Sequence, residues 1–406
     1  MIFPYKILEM FFYSKLSRVD KVRMISSEIN KKFKFNHLSV NKLVSIIKYY
    51  GYDISGLEFN TLFDVFSLLR SKKITKFNNS ILEINSEKIT GEAWLLLYEI
   101  FCFNGIYYNG LPFRDKAKTY YSNIKDHASI GVVLEDGLVT VKQNQIFQSL
   151  IKGKDSNTRD KINAYLAISS GELKYSVSNI PNFDPFFFKL INNKSIAIVG
   201  PSASNKNDAN EIDSFDVVVR LNYTEQGKGC DRLHKGEKVD ISYFNGEQVK
   251  SLGFNNGIFI LDELKYSCFK GSRAFSNFIK IGSKASHREM TNFNNLLFHG
   301  TYNLIPLAVM DLLLYSPFKI KIFHSDLMLT KERHQGYYSY DLLDRSQSEV
   351  NSKFRLSTIT HDPIAQYKLL KTLYDQNKIY GDGVFNGVMS MGEVSYSKEL
   401  QEKYNL

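Results

Sequence analysis

Cysteine is scarce in this chain. Its 406 residues contain three, Cys102, Cys230 and Cys268, and no two stand in a CxxC spacing. That excludes a disulfide framework and agrees with a reducing compartment. Tryptophan is scarcer, one residue against 30 Phe and 25 Tyr. We read the aromatic excess as composition, its rings filling large cores. No run of 18 apolar residues occurs. The nearest stretch, Ala93–Tyr108, is broken by Glu99 and Asn104, so no membrane-spanning helix is expected. The first fifteen residues carry Glu9 and lack a clean apolar core with a cleavage site, so no secretory signal is expected. Neither GxGxxG nor GxxxxGK[ST] is present, and no His pair has the HExxH spacing of a compact zinc site.

What is present is a positive surplus, 52 Lys and Arg against 42 Asp and Glu, a formal net charge of +10. Such a surplus favours anionic partners: nucleotide phosphates, nucleic acid or an anionic membrane face. Residues 1–35 concentrate it, with eight basic against three acidic residues and Phe11, Phe12, Tyr13 and Leu16 between them. This pattern suits either a helix packed on its own domain with a solvated basic side or an amphipathic helix lying on an anionic membrane.

The chain changes character near residue 180. Two prolines precede that point and six follow from Pro181. The first part reads as helical. Leu43, Ile46, Ile47 and Tyr50 form an i, i+3, i+4, i+7 stripe, and Leu62, Val65, Phe66 and Leu69 repeat it. A further helix is expected around Trp94–Tyr108, with Gly105 and Gly110 as breaks. The segment around Ala164–Leu173 has a helix–turn–helix look and resembles one unit of a tetratricopeptide-type repeat, without a second copy. We therefore place a mainly α-helical domain at 1–185.

After Pro181 strands and helices alternate, which predicts an α/β domain at 186–406. Strands are expected at Ser195–Val199, Asp216–Leu221, Val239–Phe244, Gly257–Leu261 and Lys319–Phe323. An apolar helix is expected at Leu304–Leu314, with Pro306 in its first turn. Asp362 and Pro363 open another as N-cap and first-turn residue.

Two groups of residues stand where chemistry is done. The strand at 195–199 runs into Gly200-Pro201-Ser202, which places small residues, backbone N–H groups and a hydroxyl at the carboxyl edge of a sheet, where open α/β folds bind ligands. The next strand ends in Arg220-Leu221-Asn222, whose amide can reach the same ligand. The second group is histidine: six of the eight (His234, His287, His299, His324, His334 and His361) lie between residues 234 and 361. His361 just precedes a helix start, where the macrodipole disfavours an imidazolium while Asp362 favours one. A neutral imidazole is what a general base requires.

Four features follow in order: VGPS at 199–202, VVVRLN at 217–222, the FHGTYNLIPLAVMDLLL segment leading to KIKIF at 319–323, and THDPIAQYKLLKTLY at 360–374. Together they resemble the sialylmotif-containing sialyltransferases and their bacterial relatives, over about residues 195–380. The resemblance implies a GT-A-like variant Rossmann sheet and an inverting, metal-independent transfer. It implies no cofactor; a CMP-activated acidic sugar is the co-substrate. Gly200, Ser202 and Asn222 would hold the CMP, with Asn245, Gly300 and Thr301 as further contacts. His361 would be the base, and His334, in RHQGYY, would help stabilise the leaving phosphate. Pro201 and Gln366 depart from the family pattern. The donor is sialic acid, a related nonulosonic acid or Kdo. The expected acceptor is a bacterial surface glycan, free or lipid-linked, met in the cytoplasm at the inner membrane face, with no nucleic acid as partner.

Rival readings make distinct demands. A dinucleotide oxidoreductase requires a glycine fingerprint and an acidic end to the second strand; a nucleic-acid binder requires a recognisable motif and a concentrated basic patch in the α/β region. The chain has none of these. A non-catalytic helical-repeat protein with a degenerate nucleotide-binding domain would require clean repeats in the first part.

Overall fold

The computed structural model describes residues 89–123, 127–136, 152, 154–170, 180–181, 183–202, 206–223, 232–246, 248–249, 264–271, 286–297, 299–329 and 361–404. Outside them fall the two amphipathic stripes, the basic segment 1–35, the strand expected at Gly257–Leu261, and His334. The chain separates into two compact units, residues 1–124 with 405–406, and residues 125–404.

In the first unit α1 (Gly91–Phe103) packs on α2 (Tyr107–Asn123). Thr90 caps α1, its hydroxyl accepting from Ala93 N–H at 3.3 Å. Gly105 turns the chain between the two helices with φ +77°. Gly110, expected as a break, lies inside α2 instead. A Cβ there would stand 3.1 Å from Phe101 Cβ and 3.2 Å from Tyr98 Cδ2, so the glycine serves the close approach of the helices.

The second unit begins with α3 (His127–Asp136), α4 (Ser156–Ser170) and α5 (Pro185–Ile191). The sheet then starts with β1 (Ser195–Val199), followed by α6 (Ala209–Asp213), β2 (Val217–Leu221), α7 (Arg232–Lys235) and β3 (Ile241–Phe244). Next come β4 (Tyr266–Phe269), β5 (Ser286–Glu289), α8 (Leu304–Leu313) and β6 (Lys319–Phe323). The chain closes with α9 (Pro363–Asp375), β7 (Ile379–Gly381), α10 (Gly383–Ser390) and α11 (Glu393–Tyr404). The seven strands are all parallel, in the order β5-β4-β3-β2-β1-β6-β7. The fold class is therefore α/β with a doubly wound parallel sheet. The chain winds outward from β1 to β5, then returns to the other flank of β1 with β6. The switch point lies between β1 and β6.

Burial explains the order. β1 and β2 are apolar runs with both faces covered, as central parallel strands require. All ten residues of α8 are buried. The polar one, Asp311, accepts from Tyr243 Oη of β3 at 2.8 Å and from Thr291 N–H at 2.8 Å. It also pairs with Arg288 of β5. The Arg288 guanidinium in turn lies 4.3 Å from the Phe187 ring centroid and donates to Tyr315 Oη at 3.0 Å. This network, absent from the sequence reading, ties α8 to β3 and β5. Among the described residues no helix is long and apolar enough to cross a membrane.

Candidate functional site

The carboxyl ends of β1 to β4 carry, in sheet order, Gly200, Asn222, Asn245 and Lys270. Gly200 leaves β1 with its N–H on Phe323 O at 2.8 Å. A Cβ there would stand 2.4 Å from His324 O, so only glycine lets β1 meet the end of β6. Ser202 follows; its N–H reaches His324 O at 3.0 Å, and its buried hydroxyl accepts from Asp326 N–H at 3.3 Å. The hydroxyl expected to face a nucleotide is thus turned to the β6 loop. Lys235, 1% exposed, donates to the carbonyls of Gly200 and Ser202 at 3.1 and 2.8 Å.

Asn222 leaves β2 in the left-handed region, φ +50°, a conformation asparagine tolerates better than most residues. Its N–H reaches Tyr243 O at 2.8 Å, and its Oδ1 accepts the Asn245 N–H at 3.1 Å. Asn245 in turn accepts the Gln248 N–H on its own Oδ1 at 2.8 Å. The two asparagines, 23 residues apart, therefore meet as a linked pair, each oxygen engaged by backbone and each amide NH2 left as the donor end.

Thr301 and His361 also meet. Gly300, with φ +72°, turns the chain into Thr301 just before α8. His361 Nδ1 lies 2.9 Å from Thr301 Oγ1 and 3.1 Å from Thr301 O. A carbonyl oxygen only accepts, so Nδ1 carries the proton and Nε2 is the unprotonated, accepting nitrogen. The position of His361 is fixed from its other side by α9, whose N-cap Asp362 accepts the Ile364 N–H at 3.0 Å. Gln366, the family departure, accepts the Asn303 N–H at 3.1 Å and so joins α9 to the N-cap of α8.

Burial, and after it the charge of Lys270, hold His361 down at about 4 against an ordinary 6.5, so the ring is neutral at physiological pH. Lys270 itself is partly buried and brought down to about 8 by desolvation. Its ammonium donates to Tyr302 O at 3.0 Å. Tyr302 is held by its N–H on Asn294 Oδ1 at 2.8 Å and by a hydroxyl contact with Tyr165 of α4. Lys270 escaped the sequence reading because β4 was not recognised. The available signal was a lysine directly after the aromatic run Tyr-Ser-Cys-Phe.

A second polar cluster lies beyond the switch point. His324 follows β6, is 0% exposed, and stands between Asp208 (Nε2 to Oδ2, 3.6 Å) and Asp382 (Nδ1 to Oδ2, 3.8 Å). Each of the three offers a metal-ligating atom within 4.8 Å of the others. Asp382 already has two structural tasks, accepting His324 N–H at 2.8 Å and capping α10 through Phe385 N–H at 2.9 Å. Burial and the nearby charge of Lys235 lower the His324 pKa, against the pull of the two carboxylates.

No protein-family model matches the chain, and no curated protein matches it. Of the residues expected at the site, the structure brings together Asn222 with Asn245 and Thr301 with His361, and places Gly200 and Ser202 at the end of β1 against β6. The arrangement offers a neutral imidazole with an accepting nitrogen, a nearby ammonium, and amide donors along one sheet edge. That combination can take a proton from a hydroxyl and hold an anion.

Proposed function

We propose that this protein is an inverting, metal-independent glycosyltransferase, built on a GT-A-like variant of the Rossmann sheet, that moves an acidic sugar from a CMP-activated donor to a glycan hydroxyl. The observation that carries the reading is the anchoring of His361 by Thr301. Two residues 60 positions apart, both expected at the site from the sequence, meet so that Nδ1 is committed and Nε2 can accept a proton. His361 Nε2 removes the acceptor hydroxyl proton as that oxygen attacks the anomeric carbon. The bond from that carbon to the phosphate oxygen breaks, the configuration inverts, and CMP leaves with the bonding pair. The NH2 ends of Asn222 and Asn245 and the ammonium of Lys270 are the donors that meet the charge on the leaving group and the sugar acid. His334 remains part of this proposal as a helper at the phosphate, on the motif resemblance. The donor is a nonulosonic acid such as sialic acid, or Kdo, and the acceptor a bacterial surface glycan presented at the inner membrane face.

The test is direct. Purified protein is incubated with CMP-Neu5Ac or CMP-Kdo and a glycan acceptor, with and without EDTA, and released CMP is read. Acceptor-dependent CMP release that survives EDTA is expected. Neither turnover nor binding of either donor would sink the transferase reading, and loss of turnover in EDTA would sink its metal-independent form.

A further inference from the structure

The transferase reading leaves an electrostatic problem. A base must be neutral to accept a proton, yet basic enough to want one. His361 meets the first need and falls short of the second, because it is buried and, after that, because it stands in the field of the Lys270 ammonium. Among the described residues Lys270 is the one charged group whose field shifts His361. Asp362, the nearest acid in sequence, turns Oδ1 to the Ile364 N–H of α9, and Thr301 offers only a carbonyl and a hydroxyl. Lys270 has no carboxylate within ion-pair distance among the described residues; its fixed contact is the Tyr302 carbonyl, which satisfies one of three ammonium protons. A half-buried cation kept without a counter-ion costs stability. Here it stands at the carboxyl end of β4, beside Asn245 at the end of β3, because Phe244 and Phe269 are register partners. That edge is where an open parallel sheet takes its ligand.

We propose that Lys270 is the receptor for an anionic group of the substrate, carboxylate or phosphate, and that filling it releases His361 from the field of the ammonium and so arms the base. Three features of the geometry support this. The ammonium is held by a backbone carbonyl of Tyr302, the residue next to the one that holds the imidazole, so the two groups share one rigid support. Lys270 and His361 come from different elements, the end of β4 and the approach to α9, and are bonded to the adjacent residues Tyr302 and Thr301. Among the described residues the ammonium has no carboxylate partner, so none of these loses an ion pair to an incoming anion. Without the anion His361 is a weak base that resists protonation; with the anion on Lys270 it is a stronger one, beside the correct class of substrate.

The inference rests on the transferase reading, but its test does not need turnover. The His361 ring is followed by NMR through a pH titration of the full chain with 13C-labelled histidine, His361→Gln supplying the assignment. The protein is titrated alone, with Neu5Ac as a carboxylate source, with CMP as a phosphate source, and with cytidine as a neutral control. In the wild type, saturating Neu5Ac or CMP moves the His361 midpoint upward by about one unit, the size expected when a neighbouring charge is neutralised; cytidine does not. The responding arm identifies which acid group Lys270 takes. Lys270→Met raises the midpoint of the free protein and abolishes the anion response, while Lys270→Arg keeps both the low midpoint and the response. If neither anion moves the wild-type midpoint, or if Lys270→Met responds as the wild type does, the proposal is overturned. An anion shift without CMP-sugar turnover would refute the transferase and leave the anion site standing. Turnover without a shift would do the reverse.

Discussion

The buried, neutral state of His361 makes stability depend on pH with a sign and size that can be worked out. Its pKa is about 4 in the folded protein against an ordinary 6.5. The group binds its proton more weakly when folded, so its contribution is fully present above about pH 6.5 and is lost as pH falls through 4. The separation of about 2.5 units corresponds to about 3 kcal/mol at the acid limit. At pH 5 the unfolded histidine is almost fully protonated and the folded one hardly so, which gives a loss of about 2 kcal/mol relative to pH 8. The perturbation is His361→Gln, which keeps a polar side chain and removes the titration. Urea unfolding is followed by far-UV circular dichroism at pH 8 and pH 5 for both proteins. The single tryptophan, Trp94, sits in the first compact unit, so its fluorescence marks that unit's transition and lets the other be assigned. Between the two pH values the wild type should lose about 2 kcal/mol more than the variant. His324 and His287 titrate in both proteins and cancel in the difference. Parallel losses, within about 0.5 kcal/mol, would show that His361 is not held neutral by burial and would remove the physical basis for its role as base.

Three further outcomes follow from the geometry. Asp311→Ala strands the buried Arg288 guanidinium and should lower the stability of the sheet-bearing unit by about 3–5 kcal/mol in the same urea assay, the cost of a broken buried pair. Gly200→Ala drives a methyl into the His324 carbonyl; a loss of about 1–3 kcal/mol is expected, with weakened CMP binding by calorimetry. Because Lys270 is near 8, the KM for the CMP-sugar should rise as pH passes 8, whereas Lys270→Arg should keep a flat KM to pH 9.

Legibility differed from element to element for physical reasons. The expected bounds of β1 and β6 match those observed, because β1 is an apolar run and β6 alternates lysine with isoleucine, each with turn residues at its ends. α9 was legible from Asp362 and Pro363, a cap and a first-turn residue with local jobs. β5 and β7 were not read. β5 is an edge strand of sequence Ser-His-Arg-Glu, whose one buried side chain is an arginine, and β7 is only three residues long. Gly110 misled because its role is set by the neighbouring helix, not by its own turn. At the site, Asn222, Thr301 and His361 were picked out by motif order, which preserves sequence position. Lys270 has no motif; its partner Tyr302 is 32 residues away and joins it only through the fold. The Asp208, His324 and Asp382 cluster was hidden in the same way, since its members follow or flank three different strands.

The return of the chain to the open flank of β1 has a consequence for biosynthesis. Ser195 pairs with Lys319, so β1 waits for roughly 120 further residues before that flank is covered. At ~5–20 residues per second this is on the order of 6–25 s on the ribosome. During that interval Ile196 and Ile198, fully buried in the finished sheet, belong to a strand with one unsatisfied edge. Yield of the intact protein should therefore depend on translation speed and chaperone supply between residues 200 and 323, even where no substitution alters the final stability.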